Sequence, residues 1–172
     1  MILITGANGN FGSATIESLI QKGADKSTIA GMVRTEEKGK ALKSKGIEVR
    51  IGGYDDYSSM LKAFEGIDKL LLVSGTDLPN RSEQQRSLVK AAKESGVDHI
   101  LYTSGDRVND GKGSRMSFVL ASHLDTEQAI KNSGMDYTIL RNNIYLDMLP
   151  MPMYLGKQVL RTVSIFRREK ER

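Results

Sequence analysis

The sequence contains no cysteine, and only two of its 172 residues are histidine. Without cysteine, the chain has no disulfide, no thiolate metal ligand and no cysteine nucleophile. The two histidines, His99 and His123, are far apart and the acidic residues are scattered, so no metal-ligand spacing is present. We therefore expect neither thiol chemistry nor a bound metal.

Long apolar runs are also missing. No stretch approaches the roughly 20 residues that a membrane-spanning helix requires. The N-terminus lacks the basic segment and apolar stretch of a secretion signal. We expect a soluble, cytoplasmic protein without a membrane span, and the length predicts one domain with a sizeable core.

The chain has little excess charge outside its last residues. The formal net charge is +4, and residues 151–172 carry six basic and two acidic side chains, which accounts for all of it. The remaining residues have the mixed surface of an ordinary enzyme, so no specific nucleic-acid partner is expected. A basic tail that contacts nucleic acid or an anionic membrane is a weaker alternative.

What is present is an alternation of short apolar, β-branched runs with segments whose apolar residues recur three and four apart. Runs such as "KLLLV" are apolar without alternation, which is typical of parallel strands covered on both faces. The pattern predicts an α/β fold with a doubly wound, mostly parallel sheet and helices on both faces. The predicted strands are residues 1–5, 28–34, 47–52, 68–75, 98–105 and 136–141, and predicted glycine caps end helices at Gly23, Gly46, Gly66, Gly96 and Gly134.

Three glycines, Gly6, Gly9 and Gly12, follow the first strand in the stretch "ILITGANGNFG". At a strand-to-helix junction, the first permits a tight turn, the second lets the backbone approach a pyrophosphate, and the third allows close helix packing. The strand before, the amphipathic helix after and the second strand supply the required context. We therefore predict a Rossmann-like dinucleotide site, with a turn needed only for packing as the alternative.

The end of the second predicted strand distinguishes between the two nicotinamide dinucleotides. NAD-specific sites usually place an acidic residue there, whereas this chain has Arg34, followed by Lys38. This favours the 2′-phosphate of NADPH. In the alternative, Arg34 is a solvated side chain that pairs with Glu36 or Glu37.

The motifs, taken in order, resemble the NmrA-like group of atypical short-chain dehydrogenases/reductases, and particularly the bacterial NAD(P)H:quinone oxidoreductases of type 2. The motifs are "TGANGNFG", the "VR" that ends the second strand, "GGYDD", "LLLVSG", "YTS", "SHLDTEQAIKNSG" and "YTILRNNIY". The resemblance extends from residue 1 to about residue 150. It implies an NADPH-dependent transfer of hydride to a quinone or a similar small electrophile.

The resemblance also implies roles for individual residues. Tyr54 and Asp55 would lie near the adenine, although a loop or helix-cap role is equally open because Asp56 begins a predicted helix. Asn142 and Asn143 would approach the nicotinamide and substrate, or else shape a turn. The implied cofactor-binding residues are Gly6, Asn8, Gly9, Asn10, Phe11, Gly12, Arg34, Tyr54, Asp55, Ser74, Gly75, Thr76, Asn142 and Asn143.

The Tyr-x-x-x-Lys pair of ordinary short-chain dehydrogenases is absent, since no tyrosine has lysine four residues later. In its place stand His123 and Glu127, four apart on one helical face. His123 could donate a proton near neutral pH, and Ser104 or Tyr145 could bind a developing oxyanion. In the alternative, His123 and Glu127 form a surface pair; His99 is expected to be a capping or edge residue.

The resemblance predicts an NAD(P)-binding domain over residues 1–150 and leaves 151–172 as a short basic tail, a possible remnant of a truncated substrate lobe. Relatives in this group continue with such a lobe, so we also consider a non-catalytic NADP(H)-binding redox sensor of the NmrA type. A small quinone-like substrate and a homodimer are the expected partners.

Overall fold

Strands and helices alternate as the sequence predicts. The computed structural model describes residues 1–106 and 117–142 and the strand at 167–169. The strands are β1 (Ile2–Ile4), β2 (Ile29–Val33), β3 (Glu48–Ile51), β4 (Lys69–Leu72), β5 (His99–Gly105), β6 (Asp136–Asn142) and β7 (Arg167–Glu169). The helices are α1 (Asn10–Gln21), α2 (Glu36–Ser44), α3 (Tyr57–Phe64), α4 (Arg81–Glu94) and α5 (Ser117–Asn132), with a 3₁₀ turn at Lys26–Thr28.

The strands form one sheet in the order β3-β2-β1-β4-β5-β6-β7. The first six are parallel, and β7 pairs antiparallel with β6 at the edge. Successive connections run outward in one direction from β1 and in the other from β4. The sheet therefore has its switch point between β1 and β4, where doubly wound folds bind ligands.

Helices cover both faces of the sheet, as predicted. In β4, Leu70 and Leu72 pack into the core cluster formed with α3, α4 and α5, whereas Leu71 packs into the second cluster. That second cluster contains Ile16 of α1 and Leu42 of α2. Because neighbouring strand residues face opposite sides, a strand buried on both sides is continuously apolar, as "KLLLV" is.

The predicted helix ends are confirmed by backbone geometry. All five predicted cap glycines have positive φ, between +71° and +84°. This is the left-handed conformation in which a helix commonly ends and which only glycine adopts without strain. These glycines in the sequence thus mark where each of the helices ends.

The seventh strand is a feature that the sequence analysis does not predict. It lies within the basic tail, and its backbone pairs with Ile139, Leu140 and Arg141 of β6. Several predicted features lie outside the described residues, namely most of the polar loop at 106–115, Asn143, Tyr145 and the rest of 151–172. Within the described part of the chain, no helix has the length and apolar character needed to span a membrane.

Candidate functional site

A cleft of about 390 Å³ opens at the switch point, where β1 and β4 end. It also reaches the ends of β2 and β3, through Arg34 and the segment 52–55. Twelve of the fourteen predicted cofactor-binding residues line it: Gly6, Asn8, Gly9, Asn10, Phe11, Gly12, Arg34, Tyr54, Asp55, Ser74, Gly75 and Thr76.

The glycine turn has the shape that a pyrophosphate requires. Gly6 has φ of +57°, and its carbonyl oxygen accepts a hydrogen bond from the Gly9 N–H at 2.9 Å. A Cβ on Gly12 would lie 2.9 Å from the Cα of Ala7, so only glycine lets α1 approach the loop this closely. Helix α1 begins at Asn10, and its cap residue Gly9 offers no side-chain acceptor. The positive end of the helix therefore faces the cleft, and it is suited to bind an anion.

Arg34 stands at the cleft directly after β2 and is exposed. The two glutamates that follow it bind other partners: Glu36 pairs with Lys43 and Glu37 with Lys40, each at 2.5 Å. Among residues 1–106 and 117–142, no carboxylate forms an ion pair with Arg34. The alternative in which Arg34 pairs with Glu36 or Glu37 is wrong, and the guanidinium can bind a ligand.

Tyr54 connects the loop after β3 to the floor of the cleft. Its hydroxyl donates to the Val73 carbonyl oxygen at 2.8 Å and lies 2.7 Å from the Thr5 hydroxyl. Burial of this hydroxyl raises the pKa of Tyr54 to about 12, so it stays protonated and donating. Tyr54 therefore has a structural role in addition to its place in the cleft lining.

Asp55 is held at the rim by residues that the sequence analysis does not identify. The buried Gln84 of α4 donates to Asp55 Oδ1 at 2.5 Å and to Asp77 Oδ2 at 3.0 Å. The helix-cap role belongs to the next residue, because the Asp56 carboxylate accepts from the Ser59 N–H at 3.1 Å. Gln84 and Asp77 line the cleft with Asp55, but no local pattern distinguishes them from ordinary helix and loop residues.

The remaining predicted site residues lie further along the same edge of the sheet. The backbone N–H of Ser74 donates to Thr103 Oγ1 at 2.9 Å, which joins the end of β4 to the end of β5. Asn142 pairs in register with Gly105 and is buried, and it does not line the cleft. The described edge thus runs from the glycine turn through Ser74 to Gly105 and Asn142.

His123 is buried against the end of β5. Its Nδ1 lies 2.7 Å from the Tyr102 hydroxyl, and a Cβ on Gly105 would lie 3.6 Å from its Nε2. Burial, together with the charge of Arg81, lowers the pKa of His123 to about 4. The imidazole is therefore neutral at physiological pH, which differs from the expected proton donor. The surface-pair alternative is wrong, since His123 and Glu127 are 8% and 3% exposed.

Ser104 and Glu127 belong to a buried polar cluster that joins three elements. The Ser104 hydroxyl of β5 donates to Glu127 Oε1 of α5 at 2.5 Å, and Arg141 of β6 donates to Glu127 Oε2 at 2.9 Å. The proton of Ser104 is thus already directed at a carboxylate. This arrangement favours a positioning role for Ser104, and its predicted catalytic role stays a prediction.

Arg81 is a buried cation that sequence reasoning missed. It begins α4 and is only 4% exposed, and its guanidinium donates to Ser122 Oγ and to the Val119 carbonyl oxygen at 2.8 Å each. A longer contact of 3.4 Å reaches the carbonyl oxygen of Gly75 at the cleft. Its neighbours in the sequence, "PNRSEQ", resemble any polar helix start, so only the fold shows its burial.

Two further predictions concern histidine and metal. His99 lies at the start of β5, an interior strand, and its Nε2 is 2.9 Å from Thr138 Oγ1 of the neighbouring β6. Among the described residues, no group of three or more His, Asp or Glu side chains is arranged to hold a metal ion. The expectation that the protein uses no metal stays a prediction.

A glycine turn and an open helix N-terminus at the switch point of a doubly wound sheet define the class of Rossmann-like dinucleotide-binding proteins. The comparison with family models agrees: residues 6–151 match the NAD(P)H-binding family. This chain belongs to that family, among its NmrA-like members.

Similar proteins extend this result. The chain is 39% identical over 145 residues to quinone oxidoreductase 2 of Escherichia coli strain K12, covering 84% of this chain and 49% of that protein. It is 31% identical to the NmrA-like family domain-containing oxidoreductase flvB of Aspergillus flavus, covering 87% and 49%. It superposes with a TM-score of 0.78 and 39% identity on Citrobacter sp. triphenylmethane reductase complexed with NADP(H), covering 86% and 51%. The chain spans about half the length of these relatives.

Proposed function

We propose that this protein is an NADPH-dependent oxidoreductase that transfers hydride to a quinone or a similar small electrophilic acceptor. The observation that carries the proposal is the cleft itself, in which the glycine turn, the open N-terminus of α1 and the exposed Arg34 line one surface. Membership of the NAD(P)H-binding family and the similarity to quinone oxidoreductase 2 support it.

The residues of the cleft fit a dinucleotide with a 2′-phosphate. A Cβ on Gly12 would collide with the backbone of Gly6 and Ala7, so glycine there lets the positive end of α1 lie close against the turn, and this end would take the pyrophosphate. Arg34, at the end of β2, would take the 2′-phosphate, and its guanidinium suits a phosphate because it donates in a fixed fork. No acidic residue stands at that position to bind a ribose hydroxyl, which favours NADPH over NADH.

Ser74, Gly75 and Thr76 would hold the ribose and nicotinamide, and the acceptor would lie beside them at the ends of β5 and β6. When bound, NADPH supplies the hydride. The protein then needs mainly to position the acceptor and to donate hydrogen bonds to its developing oxyanion, because a quinone becomes aromatic on reduction. His123, near Gly105, is the described residue best placed to donate; Asn142, Asn143 and Tyr145 stay predicted contributors.

The proposal is tested by mixing the purified protein with NADPH and a simple benzoquinone and following the absorbance of the reduced cofactor. We expect oxidation clearly above the uncatalysed rate. The control is Gly12→Val, whose side chain would collide with the backbone of Gly6 and Ala7 and push α1 away from the turn, so it should abolish both cofactor binding and the added rate.

Binding of NADPH without oxidation of NADPH would contradict the reductase and favour the alternative, an NADP(H)-binding sensor of the NmrA type. Absence of binding would contradict both functions. The cytoplasmic location and the homodimer stay predictions beside this proposal.

A further inference from the structure

His123 lies in a buried polar group that the proposed reaction does not by itself explain. Tyr102, which is fully buried on β5, places its hydroxyl 2.7 Å from His123 Nδ1. The other nitrogen, Nε2, faces Gly105 at the end of the same strand. The ring therefore has one nitrogen bonded to a buried phenol and the other close to the end of β5, at the edge of the sheet where the strands end.

Which nitrogen of His123 carries the proton depends on the direction of its hydrogen bond with Tyr102. Burial raises the pKa of Tyr102 well above its ordinary value, so the phenol keeps its proton. The nearby Thr126 hydroxyl donates its proton to the Ser122 carbonyl oxygen at 2.8 Å, so this proton is not directed at Tyr102. If Tyr102 donates to Nδ1, then Nδ1 is unprotonated and the ring proton is on Nε2.

The charges that face His123 come from each element packed around it. Arg81 approaches from α4, Tyr102 from β5, and Glu127 from the next turn of α5. The Glu127 carboxylate is bound by Arg141, whereas Arg81 donates to Ser122 and to backbone carbonyls. Among the described residues, Arg81 has no carboxylate partner, so its charge opposes a second positive charge on the ring.

We propose that Tyr102 and Arg81 are positioning residues that hold His123 as a neutral imidazole with its proton on Nε2, directed at the acceptor's site. In that form His123 donates a hydrogen bond to the acceptor oxygen and does not act as its acid. This role toward the acceptor rests on the proposed function, whereas the protonation state is a property of the protein alone.

The chemistry balances with water as the proton source. A hydride is one proton with two electrons. Its transfer converts the neutral quinone into a hydroquinone anion with one oxyanion, which needs one more proton. A hydroquinone oxyanion is about as basic as a tyrosine phenolate, whose pKa is about 10, so water protonates it at neutral pH. His123 keeps its Nε2 proton throughout and stabilises the oxyanion while it forms.

The direct test is NMR of the protein labelled with ¹⁵N in histidine, without any cofactor. The chain has only two histidines, and His99→Gln identifies the signals of His123. We expect the shift pattern of an Nε2–H imidazole that remains neutral from pH 7 down to pH 5. An Nδ1–H pattern, or titration near the ordinary value of 6.5, would overturn the proposal.

Tyr102→Phe and Tyr57→Phe form a matched pair for the same measurement. Each removes one phenolic hydroxyl, but that of Tyr57 donates to Glu94 on α4 and does not contact His123. We expect Tyr102→Phe to shift part of His123 to the Nδ1–H form and Tyr57→Phe to leave it unchanged. If Tyr102→Phe leaves the His123 signals unchanged, Tyr102 does not set the tautomer and the proposal fails.

The pH dependence of the rate of quinone reduction tests whether His123 acts as a neutral hydrogen-bond donor, separately from whether the protein reduces quinones at all. A rate that stays flat between pH 5.5 and 8 agrees with a neutral donor, and a rate that falls as pH rises through 6.5 contradicts it. If no reduction is observed while the NMR shows the Nε2–H form, the proposed function fails and the assignment of the protonation state stands.

Discussion

At the scale of single residues, the site depends on side chains whose burial changes their chemistry. His123 is the clearest case, because burial and the charge of Arg81 lower its pKa from 6.5 to about 4. The unfolded chain therefore binds a proton below pH 6.5 that the folded protein binds only below about pH 4. Between these values the free energy of unfolding decreases as pH falls, because the unfolded state carries more protons.

The lowered pKa of His123 predicts a stability effect specific to this residue. As pH falls from 6.5 to 4, the free energy of unfolding should decrease by about 3 kcal/mol through this one group. Urea unfolding at several pH values should show a shallower decline for His123→Gln than for the unsubstituted protein. His99→Gln, which retains His123, serves as the control. Parallel declines for His123→Gln and the unsubstituted protein would contradict the buried neutral histidine.

At the scale of elements, α5 is fastened to the sheet by the buried Glu127, which bridges Ser104 of β5 and Arg141 of β6. The same helix carries Asp125, which pairs with Arg86 of α4 at the surface. The side chains of Glu127 and Arg141 are 4% and 13% exposed, whereas those of Asp125 and Arg86 are 38% and 51% exposed. Buried and surface ion pairs on one helix can therefore be compared directly.

We expect Glu127→Ala to lower the free energy of unfolding by about 3 to 5 kcal/mol, because it removes the buried carboxylate that binds both Ser104 and Arg141. Asp125→Ala should cost at most about 1 kcal/mol, since water screens the surface pair. Glu127→Gln, which keeps the side-chain shape, provides a measurable variant if the alanine form does not fold. Thermal or urea unfolding gives all three values, and equal costs at the two positions would refute the bridging role.

At the scale of the whole molecule, the sequence predicts the six parallel strands, the helices on both faces and the glycine turn. These features depend on local signals, such as the uninterrupted apolar run in β4 and the glycine caps at Gly23 and Gly134. The burial of Arg81 and the contact of Tyr102 with His123 depend on α4, β5 and α5 packing together. Such long-range contacts leave no periodic pattern, and neither does the short strand β7.

The proposed binding of NADPH through Arg34 is tested most directly by a fluorescence titration of the purified protein with NADPH and with NADH. The protein should bind NADPH at least about tenfold more tightly, since a charged hydrogen bond to phosphate contributes about 1.5 to 3 kcal/mol. Arg34→Ala should weaken the binding of NADPH by a similar factor and leave the binding of NADH nearly unchanged. Arg86→Ala, which removes an arginine outside the cleft, should leave both unchanged. Equal losses for both cofactors in Arg34→Ala, or no binding to the unsubstituted protein, would contradict the account.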